Sequence, residues 1–235
     1  MDVRGIPCGR SGAVNWQPFI ISIKLASVTA LLLLVLATPV AYALAFSKFR
    51  GKAFLEALFA LPLVLPPTVL GFFILIAAGN LSFIGRSYRE IFGTTLVFSF
   101  EGLVAGSILY SFPFAVSPIQ NSFEAVNLSL LDTARTLGCT RWKAFWRVLV
   151  PAGKGGIITA AMLSFAHTMG EFGVVLMVGG SIPGKTRVAS IAIYEEVERL
   201  NYHEAATASL VLLGFSFVIL SAVYYFNRKM SLVTR

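Results

Sequence analysis

Three ionisable residues, Lys24, Glu101 and Glu171, interrupt long apolar stretches of the sequence. A charged side chain in apolar surroundings is costly, so it usually belongs to a path for polar ligands or is neutralised by a partner. At about 1.5 Å per helical residue, all three fall in the outer part of the segments that carry them. We therefore predict an ion pair between Lys24 and either Glu101 or Glu171, and we favour this structural pairing over direct contact with a ligand.

His167 lies one helical turn before Glu171 and is a potential metal ligand. No second cluster of ligand side chains accompanies it at the spacing that a metal site requires. The sequence therefore favours a local hydrogen bond for His167, and no metal site is expected. A nucleophile and base pair of the kind that enzymes use does not stand out either.

Residues 179–186 match the phosphate-loop pattern G-x-x-x-x-G-K-[ST], with Lys185 and Thr186 at the last two positions. A working phosphate loop needs a preceding β-strand and a following helix N-terminus on a soluble α/β core. Here an apolar helical stretch precedes the pattern, and no acidic strand of the magnesium-binding kind is available. Taken alone the pattern would predict an ATPase, but without this context we interpret the match as coincidental.

Long apolar segments must hold these residues in place. Hydrophobic residues make up 57% of the 235 residues and charged residues only 13%, and the mean hydropathy is +0.80, values far from those of soluble domains. A helix needs about 20 mostly apolar residues to cross the hydrocarbon core of a membrane. We predict an all-α integral membrane protein with one transmembrane domain, 19–226, and spans at about 19–46, 54–78, 94–118, 156–178 and 205–226.

Basic residues predict the orientation of the spans, because short cytoplasmic loops are rich in lysine and arginine. With five spans, three basic regions share one side, which we assign to the cytoplasm: Lys48, Arg50 and Lys52; Arg135, Arg141, Lys143, Arg147 and Lys154; and Arg228, Lys229 and Arg235. The tail 1–18 is then outside and the tail 227–235 inside. Cys8 and Cys139 fall on opposite sides and cannot form a bridge within the chain. The net charge of +8 reflects this topology rather than nucleic-acid binding.

The segment 119–155, between the third and fourth spans, is predicted to be a structured cytoplasmic loop. Ser129 is a suitable N-cap, Asp132 suits the positive end of a helix, and Gly138 is a natural stop. A helix of about two turns is therefore expected. Its apolar face is predicted from helical spacing to contain Leu130, Ala134 and Leu137.

A second short helix is predicted to begin after Thr140, and Pro151 marks the turn into the fourth span. This helix carries the apolar residues Trp142, Phe145, Trp146 and Leu149. On the other side of the membrane, residues 194–200 are predicted to form a short surface helix. Its acidic residues are expected to face water: Glu195, Glu196 and Glu198.

The loop carries a sequence pattern as well. Asp132-Thr133-Ala134, Gly138 and the run 148–151 have the spacing E-A-A, three residues, G, nine residues, I-x-L-P. In spacing, and in lying two spans before the carboxyl end, the loop resembles the EAA loop of ABC importer permeases. Asp replaces Glu, Thr replaces Ala, and Val stands at the Ile and Leu positions. The resemblance implies that the loop couples the permease to an ATPase through Asp132, Thr133, Ala134, Arg135, Gly138 and Pro151.

Nearly the whole chain is similar to molybdate permeases, with sulfate and tungstate permeases as near relatives. The segments that carry this resemblance are LPLVLPP at 61–67, FIG at 83–85, SFP at 111–113, ARTLG at 134–138 and GEFG at 170–173. The resemblance implies the type I importer fold, a homodimer in the lipid bilayer, and an extracytoplasmic substrate-binding protein. It also implies two cytoplasmic ATPase subunits that bind ATP and Mg²⁺, so no cofactor is expected on this chain.

Pro62, Pro66 and Pro67 remove backbone donors from the second span and predict a bent or broken helix. Broken backbone at membrane depth is tolerated only inside protein or beside a water-filled path. A path near a gate and a purely structural kink are equally compatible with these prolines. The corresponding gate candidates of the fourth span are Gly170, Glu171, Phe172 and Gly173.

The sequence thus predicts a permease of the cytoplasmic membrane that imports an oxyanion, molybdate first, by alternating access driven by a separate ATPase. Sulfate and tungstate remain alternatives, because the three anions share charge and tetrahedral shape. Two functions of other classes are also open. A membrane enzyme predicts that the purified chain hydrolyses ATP alone, and a passive channel predicts flux without an ATPase or a binding protein.

Overall fold

The structure, a computed structural model, describes residues 15–47 and 50–233. This part of the chain is helical and contains no strand. Its helices are α1 (Gln17–Phe46), α2 (Lys52–Val64), α3 (Pro67–Ala78), α4 (Phe83–Phe92), α5 (Phe100–Glu124), α6 (Leu128–Thr136), α7 (Arg141–Ala144), α8 (Val150–Ala152), α9 (Lys154–Gly170), α10 (Gly173–Gly179), α11 (Ala189–Glu198) and α12 (Tyr202–Val233), with a π-helical turn at Phe145–Leu149 between α7 and α8. The predictions for Cys8, Lys48 and Arg235 lie outside the described residues.

Within the described residues, three helices are long and apolar enough to cross a membrane: α1, α5 and the Tyr202–Ala222 part of α12. Two bent pairs raise the number to five. In one, α2 and α3 meet at 109°, and in the other Arg141–Ala152 and α9 meet at 70°. The predicted class, an all-α membrane protein of about five spans, is confirmed, although two of the spans are interrupted.

The third span differs from its predicted position at 94–118, because α5 runs from Phe100 to Glu124. The hydroxyl of Ser99 accepts a hydrogen bond from the Gly102 amide at 3.0 Å and donates one to the Leu96 carbonyl at 2.6 Å. Phe98, with a left-handed φ of 60°, turns the chain just before this cap. The N-cap therefore sets the beginning of the helix inside the apolar window.

The core is built by α1, α5 and α9, which pack against one another. Near the beginnings of α1 and α5, Leu25 and Leu103 belong to one apolar cluster. Near the ends of the same helices, Leu44 and Phe123 belong to another. The helices α1 and α5 therefore run in the same direction, as two spans separated by one return span must.

A polar cluster joins the beginning of α2 to the end of α5. The Lys52 ammonium lies 3.3 Å from Glu124 and 3.6 Å from Glu56. The Gln120 amide donates to Glu56 at 2.8 Å and to Glu124 at 3.0 Å. The basic region after the first span and the beginning of the segment 119–155 thus lie at the same end of the bundle. This arrangement agrees with their predicted placement on one side of the membrane.

The helix predicted at 194–200 lies instead at Ala189–Glu198, and its carboxylates do not simply face water. The Arg187 guanidinium lies 2.5 Å from Glu195 and 3.9 Å from Glu196. Arg199 lies 3.0 Å from Glu196. The prediction of a solvated acidic face was wrong for Glu195 and Glu196, because their partner Arg187 precedes the helix in a loop whose path the sequence does not reveal, whereas Glu198 is exposed.

Candidate functional site

The first interruption of a span separates α2 from α3. Leu65 and Pro66 are extended, with ψ angles of 136° and 135°. A residue that precedes proline is driven out of the helical region, and proline itself has no amide hydrogen to donate. Both conditions are met at 65–67, where two prolines are adjacent. The break predicted from the sequence is therefore present, and its cause is local.

A second break, distinct from the bend of 70° before α9, separates α9 from α10 inside the predicted fourth span and contains no proline. Glu171 is extended, with φ −66° and ψ 136°, and Phe172 follows at φ −128°. The Glu171 carbonyl accepts a hydrogen bond at 2.6 Å from the hydroxyl of Ser190 in α11. The Phe172 ring lies 5.0 Å from that of Tyr194 in the same helix. Side chains distant in the sequence thus satisfy and hold this break.

The two broken spans meet directly, because small residues let α3 and α10 approach closely. A β-carbon added to Gly173 would lie 2.7 Å from Cβ of Pro67 and 3.1 Å from the Thr68 amide nitrogen. A β-carbon on Gly71 would lie 2.8 Å from Cβ of Met177. Both distances are too short for carbon, so glycine is required at each position for this packing.

A pocket of about 480 Å³ lies at this junction. Its lining residues are Pro67, Thr68, Tyr110, Ala166, His167, Gly170, Glu171, Phe172 and Gly173. Of the path residues predicted from the sequence, the structure brings Pro67 together with 170–173. Pro62 and Pro66 do not line the pocket.

Polar side chains of α5 and α9 meet beside the pocket. The Ser111 hydroxyl lies 2.8 Å from Nδ1 of His167 and 3.1 Å from the Thr168 hydroxyl. His167 therefore makes a hydrogen bond, as predicted, but to another helix rather than within its own. The sequence does not mark Ser111 and Thr168 as site residues, because isolated hydroxyl residues are ordinary in apolar helices. Their spacing along one helix does not reveal which neighbour they face.

Glu171 is only 4% exposed, and neither carboxylate oxygen has a hydrogen-bond partner in the described part of the chain. The hydroxyl of Ser107 lies close to it without completing a hydrogen bond of ordinary geometry. The Lys24 ammonium instead lies 4.6 Å from the centroid of the Phe100 ring. Among the described residues, Lys24 forms no ion pair with Glu101 or Glu171, so the predicted pairing was wrong.

The loop at 179–186 is closed on itself by its own threonine. The Thr186 hydroxyl is buried, donates to the Gly179 carbonyl at 2.7 Å and accepts from the Ile182 amide at 3.0 Å. In a phosphate loop the corresponding hydroxyl faces a magnesium ion and the amides face phosphate. The geometry here serves a turn after α10, which supports the interpretation of the match as coincidental.

The helix α6 begins and ends with backbone motifs at the cytoplasmic end predicted above. Asn127, not Ser129, caps it, because the Asn127 side-chain oxygen accepts from the Ser129 amide at 3.0 Å. At the other end Gly138 has a left-handed φ of 81°, and the Cys139 amide donates to the Ala134 carbonyl at 3.0 Å. This is the Schellman arrangement of a glycine-terminated helix. The predicted stop was right, and the predicted cap was two residues late.

The buried face of α6 consists of Leu131 and Ala134, each 8% exposed, which join the apolar cluster of α1 and α5. Leu130 and Leu137 are 52% and 79% exposed. The predicted apolar face was thus rotated by about one residue. Asp132 and Thr133 are exposed, and the Thr133 hydroxyl donates to the Ser129 carbonyl at 2.8 Å. Arg135 lies in the same helix.

The second short helix begins at its predicted position, where the Thr140 hydroxyl accepts from the Lys143 amide. Ala144 and Leu149 are buried, whereas Trp142 and Trp146 are 70% and 52% exposed. Pro151 lies in α8. Together with Leu130 and Leu137, the two tryptophans give the segment 128–151 a large apolar surface beside basic residues: Arg141, Lys143 and Arg147.

A family model described as "Binding-protein-dependent transport system inner membrane component" matches residues 19–232. The chain belongs to this family. It is 47% identical over 208 residues to the molybdenum transport system permease protein ModB of Azotobacter vinelandii, covering 88% of this chain and 92% of that one. It is 35% identical to ModB of Escherichia coli (strain K12), covering 88% and 90%.

The fold of this inner-membrane permease is also found in solved transporters. A chain of the bacterial alginate ABC transporter, crystallised in complex with an alginate pentasaccharide-bound periplasmic protein, superposes with a TM-score of 0.73. The match covers 94% of this chain and 80% of that one at 15% sequence identity. This permease therefore has the all-helical fold of ABC importer subunits, in agreement with the prediction.

Proposed function

We propose that this permease is the membrane subunit of an ATP-driven importer that carries an oxyanion, molybdate in the first place, into the cell by alternating access. The observation that carries the proposal is the 47% identity to a molybdenum permease over nearly the full length of both chains. Sulfate and tungstate are the alternatives within the same class, because they share the charge and the tetrahedral shape of molybdate.

The proposed assembly contains two copies of this chain, two cytoplasmic ATPase subunits and an extracytoplasmic binding protein. ATP and Mg²⁺ belong to the ATPase subunits, and this chain performs no bond chemistry. The periplasmic protein bound to the alginate transporter of the same fold supports the presence of a binding protein. The basic residues support an amino terminus outside and a carboxyl terminus in the cytoplasm.

The proposed translocation path passes the junction of the two broken spans. Extended backbone lies at 65–66 and at 171, and such backbone at membrane depth must be covered by protein or line a cavity. The pocket of about 480 Å³ at this junction supports the second possibility. Small movements of α3 against α10 would widen or close it, because the contact depends on glycines and carries little side-chain volume between the helices.

The proposed coupling surface is the exposed part of the segment 128–151. A cluster of exposed leucine and tryptophan side chains beside basic residues is typical of a surface that a partner covers. Leu131, Ala134 and Leu149 anchor this segment in the same apolar cluster as α1 and α5. A movement imposed on the surface by the ATPase would therefore reach the core helices through direct packing.

Uptake by the reconstituted complex tests the proposed substrate. The permease is co-purified with its ATPase and placed in liposomes, with ATP inside and the binding protein outside. We expect ATP-dependent uptake of radioactive molybdate. An excess of tungstate should suppress this uptake, and the same excess of sulfate should suppress it less. If sulfate were taken up in preference to molybdate, sulfate would be the substrate. Flux without ATP or binding protein would indicate a channel, and ATP hydrolysis by the permease alone would indicate an enzyme.

A further inference from the structure

A second pocket, of about 630 Å³, lies at the end of the bundle opposite the segment 128–151. It opens between the first turns of α1, the beginning of α5 and the loop that follows α10. Three charged residues that the proposed transport path does not use line this pocket: Lys24, Glu101 and Lys185. They come from three separate parts of the sequence, and only the tertiary structure brings them together.

These charges remain available to a ligand. Within the described part of the chain, the side chains of Lys24, Glu101 and Lys185 form no hydrogen bond or ion pair, and Lys24 has only the Phe100 ring near its ammonium, at 4.6 Å. The nearby hydroxyls of Thr95 and Ser99 already donate to backbone carbonyls. A pocket with two free cations and one free carboxylate fits a ligand that carries both signs of charge.

The pocket lies at the depth of lipid headgroups. The 30 residues of α1 span about 45 Å at 1.5 Å per residue, close to the full thickness of a bilayer with its headgroups. Lys24 comes seven residues after the first residue of α1, roughly 10 Å below the end of the helix. A lysine at this depth extends its ammonium toward the headgroup region.

Apolar side chains adjoin the charged pocket on the side that acyl chains would occupy. Ile20 and Ile23 on α1 are 63% and 39% exposed, and Phe98 is 50% exposed. Phe98 keeps its left-handed backbone through a hydrogen bond from its amide to the Val178 carbonyl at 2.9 Å. An exposed aromatic ring held in a backbone conformation that residues other than glycine rarely adopt suggests that its position at the pocket is needed.

We propose that this pocket binds the headgroup of a phospholipid that carries a primary ammonium group, such as phosphatidylethanolamine. The lipid phosphate lies between Lys24 and Lys185, and the lipid ammonium donates to Glu101. A free oxyanion fits less well, because the Glu101 carboxylate repels it. The lipid occupies the space between α1, α5 and the loop 180–187 and so links these three elements at the membrane surface.

Native mass spectrometry of the purified full-length permease tests this site. The protein is released from nanodiscs that contain equal amounts of phosphatidylethanolamine, phosphatidylglycerol and phosphatidylcholine with identical acyl chains. We expect one retained phosphatidylethanolamine per chain. The double variant Lys24→Gln/Lys185→Gln should lose retention of all three lipids by about tenfold, since two charge-assisted contacts are removed. Glu101→Gln should retain lipid but lose the preference for phosphatidylethanolamine.

Lys154→Gln, at the opposite end of the bundle, is the matched control and should retain lipid like the wild type. Equal retention by the wild type and the double variant would overturn the proposal. So would an unchanged lipid preference in Glu101→Gln, which keeps the shape of the side chain. In a last experiment, sodium molybdate is added to the lipid-bound permease. Displacement of the lipid by molybdate, with molybdate binding that needs Lys24 and Lys185, would assign the pocket to a free oxyanion instead.

Discussion

The breaks at 65–66 and at 171 have similar backbone angles but different physical causes. At 65–67 the chain leaves the helix because two adjacent prolines exclude helical backbone and remove donors. At 171–172 no proline is present, and the freed Glu171 carbonyl is satisfied by Ser190 from a different helix. The first break is caused by the local sequence, whereas the second depends on tertiary contacts.

This difference has a consequence for movement. A break caused by proline persists in every conformation of the protein, so the bend between α2 and α3 is rigid. A break held by one hydrogen bond and one aromatic contact can tighten or relax when α11 moves, since such contacts exchange at a small energetic cost. We therefore expect the second break to respond to the transport cycle and the first to keep its shape.

Gly173→Ala should have the largest effect, because it drives the two breaks apart. The added β-carbon would lie 2.7 Å from that of Pro67, and overpacking of this kind costs about 1–3 kcal/mol. We expect a lower midpoint of thermal unfolding in detergent and loss of most uptake by the reconstituted complex. Gly214→Ala in α12 is the control, since a β-carbon there meets nothing within 4 Å. Similar behaviour of the two variants would contradict close contact between α3 and α10.

Gly138→Val tests a third kind of helix end, one that neither proline nor a distant partner creates. Valine in the left-handed conformation costs about 1–2 kcal/mol, so the end of α6 should shift. Gly93→Val is the matched control, because Gly93 is also left-handed, at φ 71°, with open space around its Cβ position.

We expect similar losses of stability in the two glycine variants. Only Gly138→Val should lose ATP-driven uptake and co-purification with the ATPase, since only that glycine ends a helix of the proposed coupling surface. Normal coupling in Gly138→Val, measured as ATP hydrolysed per anion transported, would remove the coupling role from α6.

Ser190→Ala should loosen the second break without changing its sequence. The variant leaves the Glu171 carbonyl without its partner, at a cost of about 1 kcal/mol. Hydrogen exchange measured by mass spectrometry should accelerate for the amides of 171–176. Ser209→Ala, an exposed serine of α12, should leave exchange there unchanged. Unaltered exchange in Ser190→Ala would indicate that α11 does not hold the break.

Pro66→Ala should have the smallest effect. Pro67 still restricts the residue before it, so the bend of 109° should persist and the stability should change by only about 0.5 kcal/mol. Spin labels at positions 54 and 76 would report the distance between the far ends of α2 and α3. The double variant Pro66→Ala/Pro67→Ala should lengthen that distance. A single variant that straightens the span would show that tertiary contacts set this corner too.

The sequence was most informative where the cause of a structure lies within a few residues. The apolar windows predicted five spans, the prolines predicted the first break, and Gly138 and Thr140 predicted two helix boundaries. The errors have a different origin. The helix α6 is capped by Asn127 and not by the predicted Ser129, and its buried face contains Leu131 and not Leu130. In both cases the neighbouring core decides between side chains that are equally suitable in isolation.

The charged residues also show what the sequence alone cannot predict. The sequence alone showed that Lys24, Glu101 and Glu171 stand out within apolar segments, because burying charge is costly whatever the fold. Only the tertiary structure separated them, placing Glu171 at the second break and placing Lys24 and Glu101, together with Lys185, around one pocket. Local sequence determines which backbone a segment can adopt, since sterics and hydrophobicity act over a few residues. Which side chains face each other depends on how the helices pack, and that is decided by contacts between residues far apart in the chain.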